Sequence, residues 1–123
     1  MKSEHQEQVD FIHKAKKLLR ARGDEYMIPL LFAIPNGGKR DARTAASLKM
    51  EGVRAGVPDL FFAKPNKSAY GLFIEMKMIK GGRVDPDQKK QMSAFADEGY
   101  VCKVAKGWVE AIKIFEDYLD NKI

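Results

Sequence analysis

The sequence predicts an α/β domain in which a mixed sheet lies between helices. Three observations carry that prediction. Apolar residues recur at three- and four-residue spacing near both ends of the chain, and short apolar runs bounded by Pro and Gly lie between them. Among those runs, Asp85-Pro86-Asp87-Gln88 is a strong helix start. In chain order the elements read αβαββαβα.

From about Ser3 to Arg22, Phe11, Ile12, Ala15, Leu18 and Leu19 follow a helical period that Gly23 closes. Leu30 to Ile34, held between Pro29 and Pro35, suits a buried strand, and Asn36-Gly37-Gly38 then suits a turn. A helix rich in Ala, Leu and Met runs from about Asp41 to Glu51 and ends at Gly52. Asp59 to Ala63 and Tyr70 to Ile79 read as the two strands of a hairpin, joined by the turn-rich Lys64-Pro65-Asn66-Lys67-Ser68. Asp85 is an N-cap, Pro86 fits the first helical position, and Gln88 is placed to bond back as in a capping box. That helix reaches about Glu98 and stops at Gly99. Tyr100 to Ala105 is one more strand, and Trp108, Ile112, Phe115 and Leu119 mark a closing helix.

Composition bounds the function. A chain of 123 residues fits one domain spanning 1–123, and 45% hydrophobic content is enough for a core. No apolar run approaches the roughly 18 residues that a membrane span needs. The polar, acidic start Met1-Lys2-Ser3-Glu4 is unlike a signal peptide, so a soluble, cytoplasmic protein with no membrane partner is expected. Cys102 has no second cysteine to pair with, and His5 and His13 alone build no zinc cage, so any metal must be held by carboxylates. The excess of 22 Lys and Arg over 17 Asp and Glu, a formal +5, favours polyanions.

The chemistry concentrates in the second hairpin strand. Alternation puts Leu72, Ile74, Met76 and Met78 on one face and Phe73, Glu75, Lys77 and Ile79 on the other. A solvated Glu and Lys would be ordinary on a half-exposed strand. Bulky apolar residues on both faces instead imply cover on both sides, so a charge pair there needs a reason. Gly56-Val57-Pro58-Asp59 supplies one, because Pro58 and Gly56 set Asp59 at the sheet edge, where a hairpin brings it to Glu75. Two carboxylates sharing a site call for a proton or a cation, and an oxygen-only site completed by water suits Mg²⁺ or Mn²⁺. Asp59 taken alone is equally a strand-entry cap.

Pro58-Asp59, followed after Leu60 to Ile74 by Glu75-Met76-Lys77, resembles the PD-(D/E)XK nuclease signature. The flanking Ile34-Pro35-Asn36-Gly37-Gly38-Lys39-Arg40, Glu51-Gly52-Val53-Arg54-Ala55-Gly56-Val57, Gly71-Leu72-Phe73-Ile74 and Pro86-Asp87-Gln88 narrow this to a resemblance to the VRR-NUC family of virus-type replication and repair nucleases. It extends over essentially the whole chain, from Ser3-Glu4-His5-Gln6-Glu7-Gln8 to Gly107-Trp108.

The resemblance implies the restriction-endonuclease-like fold and metal-dependent cleavage of DNA phosphodiesters. Its relatives include phage-type junction resolvases, so a phage-encoded protein fits, and the nuclease module of a DNA crosslink-repair enzyme. It further implies that Asp59, Glu75 and the Met76 carbonyl hold the cation and that Lys77 orients or helps deprotonate water. Family members also use an acid on the first helix. At about 100° per residue Glu4 falls within the apolar arc and Glu7 towards its margin, so Glu4 is preferred, with Glu7 close behind and Gln8 in support. Gln88 either closes its capping box or turns to the phosphate and metal water.

Candidate DNA contacts are Asn36, Gly37, Lys39, Arg40, Arg43, Lys49 and Arg54, with Lys80 and Arg83 beyond the catalytic strand; Lys14, Lys16 and Lys17 read as a solvated helix face. Gly37-Gly38-Lys39 is no P-loop, lacking the upstream Gly and the following Ser or Thr. The expectation is a Mg²⁺- or Mn²⁺-dependent DNA endonuclease acting on branched DNA such as a four-way Holliday junction, as a homodimer whose two sites make the two cuts. A flap or end-processing nuclease, a non-catalytic nucleic-acid-binding subunit of the same fold, and a small-molecule enzyme using Glu75 and Lys77 are the alternatives.

Overall fold

The computed structural model of the chain describes residues 1–35 and 41–123, so the expected turn and basic residues at Asn36, Gly37, Gly38, Lys39 and Arg40 lie outside the described residues. The first helix, α1 (Glu4–Ala21), begins where expected. Ser3 Oγ accepts the Gln6 N–H and the Gln6 side chain accepts the Ser3 N–H, a closed capping box. Segment 25–30, which shows no period in the sequence, forms a 3₁₀ turn with Pro29 inside it and leads into β1 (Leu31–Ala33). Next come α2 (Ala42–Met50), capped by the Asp41 carboxylate, then β2 (Leu60–Phe62) and β3 (Leu72–Lys77). The helix α3 (Pro86–Asp97), β4 (Val101–Lys106) and α4 (Trp108–Leu119) complete the chain.

The sheet is mixed, in order β1-β2-β3-β4, with β1–β2 and β2–β3 antiparallel and β3–β4 parallel. Antiparallel neighbours need only turns. The parallel pair needs a crossover, which α3 supplies. The strands are shorter than the apolar runs because pairing, and not hydropathy, ends them: β1 has partners on β2 only from Leu31 to Ala33.

The two faces of the sheet are covered unequally. On one, Leu72, Ile74 and Met76 of β3 join Phe11, Ala15 and Leu19 of α1 and Ala111, Phe115 and Tyr118 of α4 in a closed apolar cluster. Phe115 is its hub, its ring edge-on to Phe11 at 5.8 Å and to Phe62 at 4.8 Å. On the other face Phe73 stacks on Phe95 of α3 at 4.1 Å and lies 4.4 Å from Phe61. Neither α2 nor α3 buries a residue fully, and Phe32 on the edge strand β1 is 43% exposed. β3 is therefore buried along its whole length, as bulky residues on both its faces require. No helix among the described residues is long and apolar enough to cross a membrane.

Candidate active site

The site forms where the central hairpin opens. β2 and β3 pair out to Leu60 and Ile74, which leaves Asp59 opposite Glu75 one step past the ladder. Side-chain bonds take over there. The Asp59 N–H donates to Glu75 Oε1 at 3.2 Å, and the Met76 N–H donates to Asp59 Oδ2 at 2.8 Å. Pro58, fully buried and without an N–H, leads into this clasp.

Lys77, two residues on and on the same face, sets its Nζ 3.2 Å from Glu75 Oε2. The same oxygen accepts Gln88 Nε2 from the first turn of α3. Of the alternatives for Gln88 the capping box is formed, Oε1 accepting the Asp85 N–H, and Nε2 at the same time donates to Glu75. One amide thus ties the start of α3 to β3.

Gly56 explains how α3 comes so near. At φ +88 it occupies the left-handed region, and a Cβ there would lie 2.4 Å from the Asp87 carbonyl oxygen, so only Gly lets this loop rest on the helix start.

Glu75 is 2% exposed and Lys77 8%. Burial first, and the neighbouring Asp59 carboxylate second, push the Glu75 carboxyl up to about 7, against the pull of Lys77. Near neutral pH this group is poised between holding and releasing a proton. Cys102, the one thiol, is pushed up to about 11 by burial and offers no thiolate nucleophile.

The inward position expected of Glu4 is corrected: it belongs to Glu7. Glu4 is exposed, together with every residue of 1–6, because nothing covers the first turn of α1. Side chains on a helix lean towards its N-terminus, so an acid in the opening turn points off the end however well its wheel angle fits. Glu7, one turn further in, is 2% exposed, and its Oε1 accepts the Trp108 N–H at 3.1 Å. It caps α4, whose own N-cap is Gly107 with no side chain to offer. The Gly107 N–H in turn donates to the Lys77 carbonyl, so Glu7 braces the end of β3. That tertiary cap left no trace in the sequence beyond a Gly before a helix. Gln8 is half-buried, and its side chain makes no hydrogen bond among the described residues.

Of the basic candidates, Arg43 and Lys49 stand on α2, Arg54 follows it, and Lys80 and Arg83 occupy the turn after β3. All five are exposed, and none forms an ion pair among the described residues. Lys90, which the sequence did not single out, faces the same side from α3. Lys14 is less idle than its charged helix face implied, with Nζ 5.3 Å from the Trp108 ring centroid.

The chain can be set against known proteins on this geometry. The VRR-NUC domain model matches residues 32–108. A solved VRR-NUC domain protein superposes with a TM-score of 0.82 at 26% identity, covering 98% of this chain and 90% of that one. No curated protein matches. A helix-flanked mixed sheet with a buried and a half-buried acid and a lysine at the mouth of its central hairpin, matched by this family model, defines a nuclease-type α/β domain. The chain belongs to the VRR-NUC family.

The donor set at the hairpin mouth fits a hard divalent cation. The Asp59 carboxylate lies near enough to Glu75 to raise its proton affinity, a place where a cation can stand in for the proton that two acids otherwise share. In extended backbone a residue's N–H and C=O point to the same edge, so the Met76 carbonyl lies on the Asp59 side, beyond the last β2 pair. No group of three or more His, Cys, Asp or Glu side chains placed to hold a metal ion occurs among the described residues, so a cation here would rest on two carboxylates. Two carboxylates and a carbonyl, completed by water, would suit Mg²⁺ or Mn²⁺ better than zinc.

Proposed function

We propose that the protein is a Mg²⁺- or Mn²⁺-dependent endodeoxyribonuclease that hydrolyses phosphodiester bonds in branched DNA, four-way Holliday junctions above all, as a homodimer. The observation that carries this reading is the joining of Asp59, Glu75, Lys77 and Gln88 at one carboxylate on an open hairpin. The bound cation would supply phosphate polarisation and a more acidic water. Asp59, Glu75 and the Met76 carbonyl would hold it. Lys77 Nζ, beside Glu75, would orient or help deprotonate the water and offset negative charge growing on the phosphate oxygens. Gln88 keeps the Glu75 carboxylate turned to its task, and Glu7, capping α4 behind Lys77, braces the strand.

Hydrolysis joins the water oxygen to phosphorus, breaks the scissile P–O bond and leaves a proton on the departing oxygen. One chain holds one such site. Symmetric resolution of a junction takes two cuts on opposed strands, which a two-fold dimer provides.

Cleavage of a matched panel of duplex, flap and four-way junction DNA, titrated with Mg²⁺ and Mn²⁺, tests the proposal. Paired symmetric incisions of the junction are expected, with a light-scattering mass near twice 13.9 kDa. Asp59→Asn and Glu75→Gln should each lower cleavage by about three orders of magnitude or more while DNA stays bound. Cleavage that ignores both chelator and these substitutions would remove the metal site. A strict monomer that prefers flaps would replace the junction reading with an end-processing one.

A further inference from the structure

A groove of about 640 Å³ runs between α2 and the start of α3, outside the acid-lysine site. Its lining brings the apolar Ala45, Leu48, Val53 and Ala55 together with the cations Lys49, Arg54 and Lys90, the amide Gln91 and the one acid Asp87. α2 contributes without burying any residue of its own, an expensive arrangement for a helix whose only purpose is to cover a core.

The groove also adjoins the chemistry. Its wall at Asp87 is the backbone on which Gly56 rests, and the next residue, Gln88, holds Glu75. A volume of this size takes a ligand of one or two nucleotides and excludes a duplex. The lining cations suit phosphates, and the apolar side chains among them suit the faces of bases without reading their edges.

We infer that this groove holds an unpaired DNA strand adjacent to the reacting phosphate. Its role in cleavage rests on the nuclease reading above. The binding itself does not. The groove takes a strand that branched DNA frays or leaves unpaired at its branch point, and apolar side chains and long flexible cations, which outnumber Asp87 and Gln91 in its lining, favour contact with little regard to base identity.

The test is an NMR titration of the full chain with a short oligothymidylate in the presence of a chelator, where no cleavage competes. The amides and methyls of Leu48, Val53 and Ala55 should shift saturably while those of α1 and α4 stay in place. Lys49→Glu combined with Lys90→Glu should weaken that binding at least tenfold. Both residues are exposed, so unmoved α1 and α4 signals verify the fold of the variant. Shifts confined to other surfaces, or full affinity in the double variant, overturn the inference. Groove shifts that follow protein concentration and not oligonucleotide would place a second copy there and overturn it too. Cleavage without groove binding sinks the groove alone. Groove binding by a chain that cuts no DNA with either metal upholds the groove and sinks the nuclease reading.

Discussion

The two faces of the sheet do different work. The α1–α4 face buries six apolar helical side chains in the core with β3, whereas α3 on the opposite face, and α2 beside it, bury none. Every residue assigned to the acid-lysine chemistry lies on or beside the second face. Close packing resists displacement, and a site that must admit a polyanion needs surface that is not already filled. One face holds the strand still, and the other leaves its charged residues within reach.

Four substitutions or conditions break or sharpen that contrast. The largest effect is expected at Lys77. Lys77→Ala should lower turnover by about 10²–10⁴ with little loss of thermal stability, because the stranded Glu75 carboxyl takes up a proton instead of staying charged and buried. Single-turnover rates with calorimetry on the same variant decide it, and a wild-type rate would strip Lys77 of its role.

On the closed face the signature reverses. Phe115→Ala should cost about 3–5 kcal/mol in denaturant unfolding, since it empties the hub between Phe11 and Phe62, while the rate per folded molecule is unchanged. A rate that falls in step with stability would mean the two faces are not separable.

Gly56→Ala probes the seam. The added Cβ meets the Asp87 carbonyl in a left-handed backbone, at a cost of about 1–3 kcal/mol, and pushes the α3 start from Glu75. Cleavage should drop by about tenfold or more through lost geometry. Unaltered kinetics would show that Gln88 is dispensable where it stands.

The smallest effect is on pH. The folded Glu75 carboxyl titrates above its unfolded value of 4.5, at about 7, so its contribution to stability is full below 4.5 and is lost as pH rises through 7. In chelator, Glu75→Gln should therefore gain melting temperature relative to wild type between about pH 5 and about pH 8, by a few degrees. Adding Mg²⁺ at the upper pH should restore the wild type and leave the variant unmoved. A difference independent of pH would mean Glu75 is not held protonated by its surroundings.

The sequence by itself determined the order of elements, the hairpin, the cap at Asp85 and the placing of Glu75 and Lys77 on one face. Each of these follows from period, turn chemistry or strand alternation, which act between residues near in the chain. Asp59 beside Glu75 was also legible, because a hairpin register carries local information across a short loop.

Only the tertiary structure decided between Glu4 and Glu7, for a wheel angle says which way a side chain turns and not whether anything stands there to cover it. It alone brought Glu7 to the α4 terminus, Gly56 against Asp87 and Lys90 across from α2. Those contacts join residues tens of positions apart, and they depend on where whole helices come to rest on the sheet, which no local periodicity encodes.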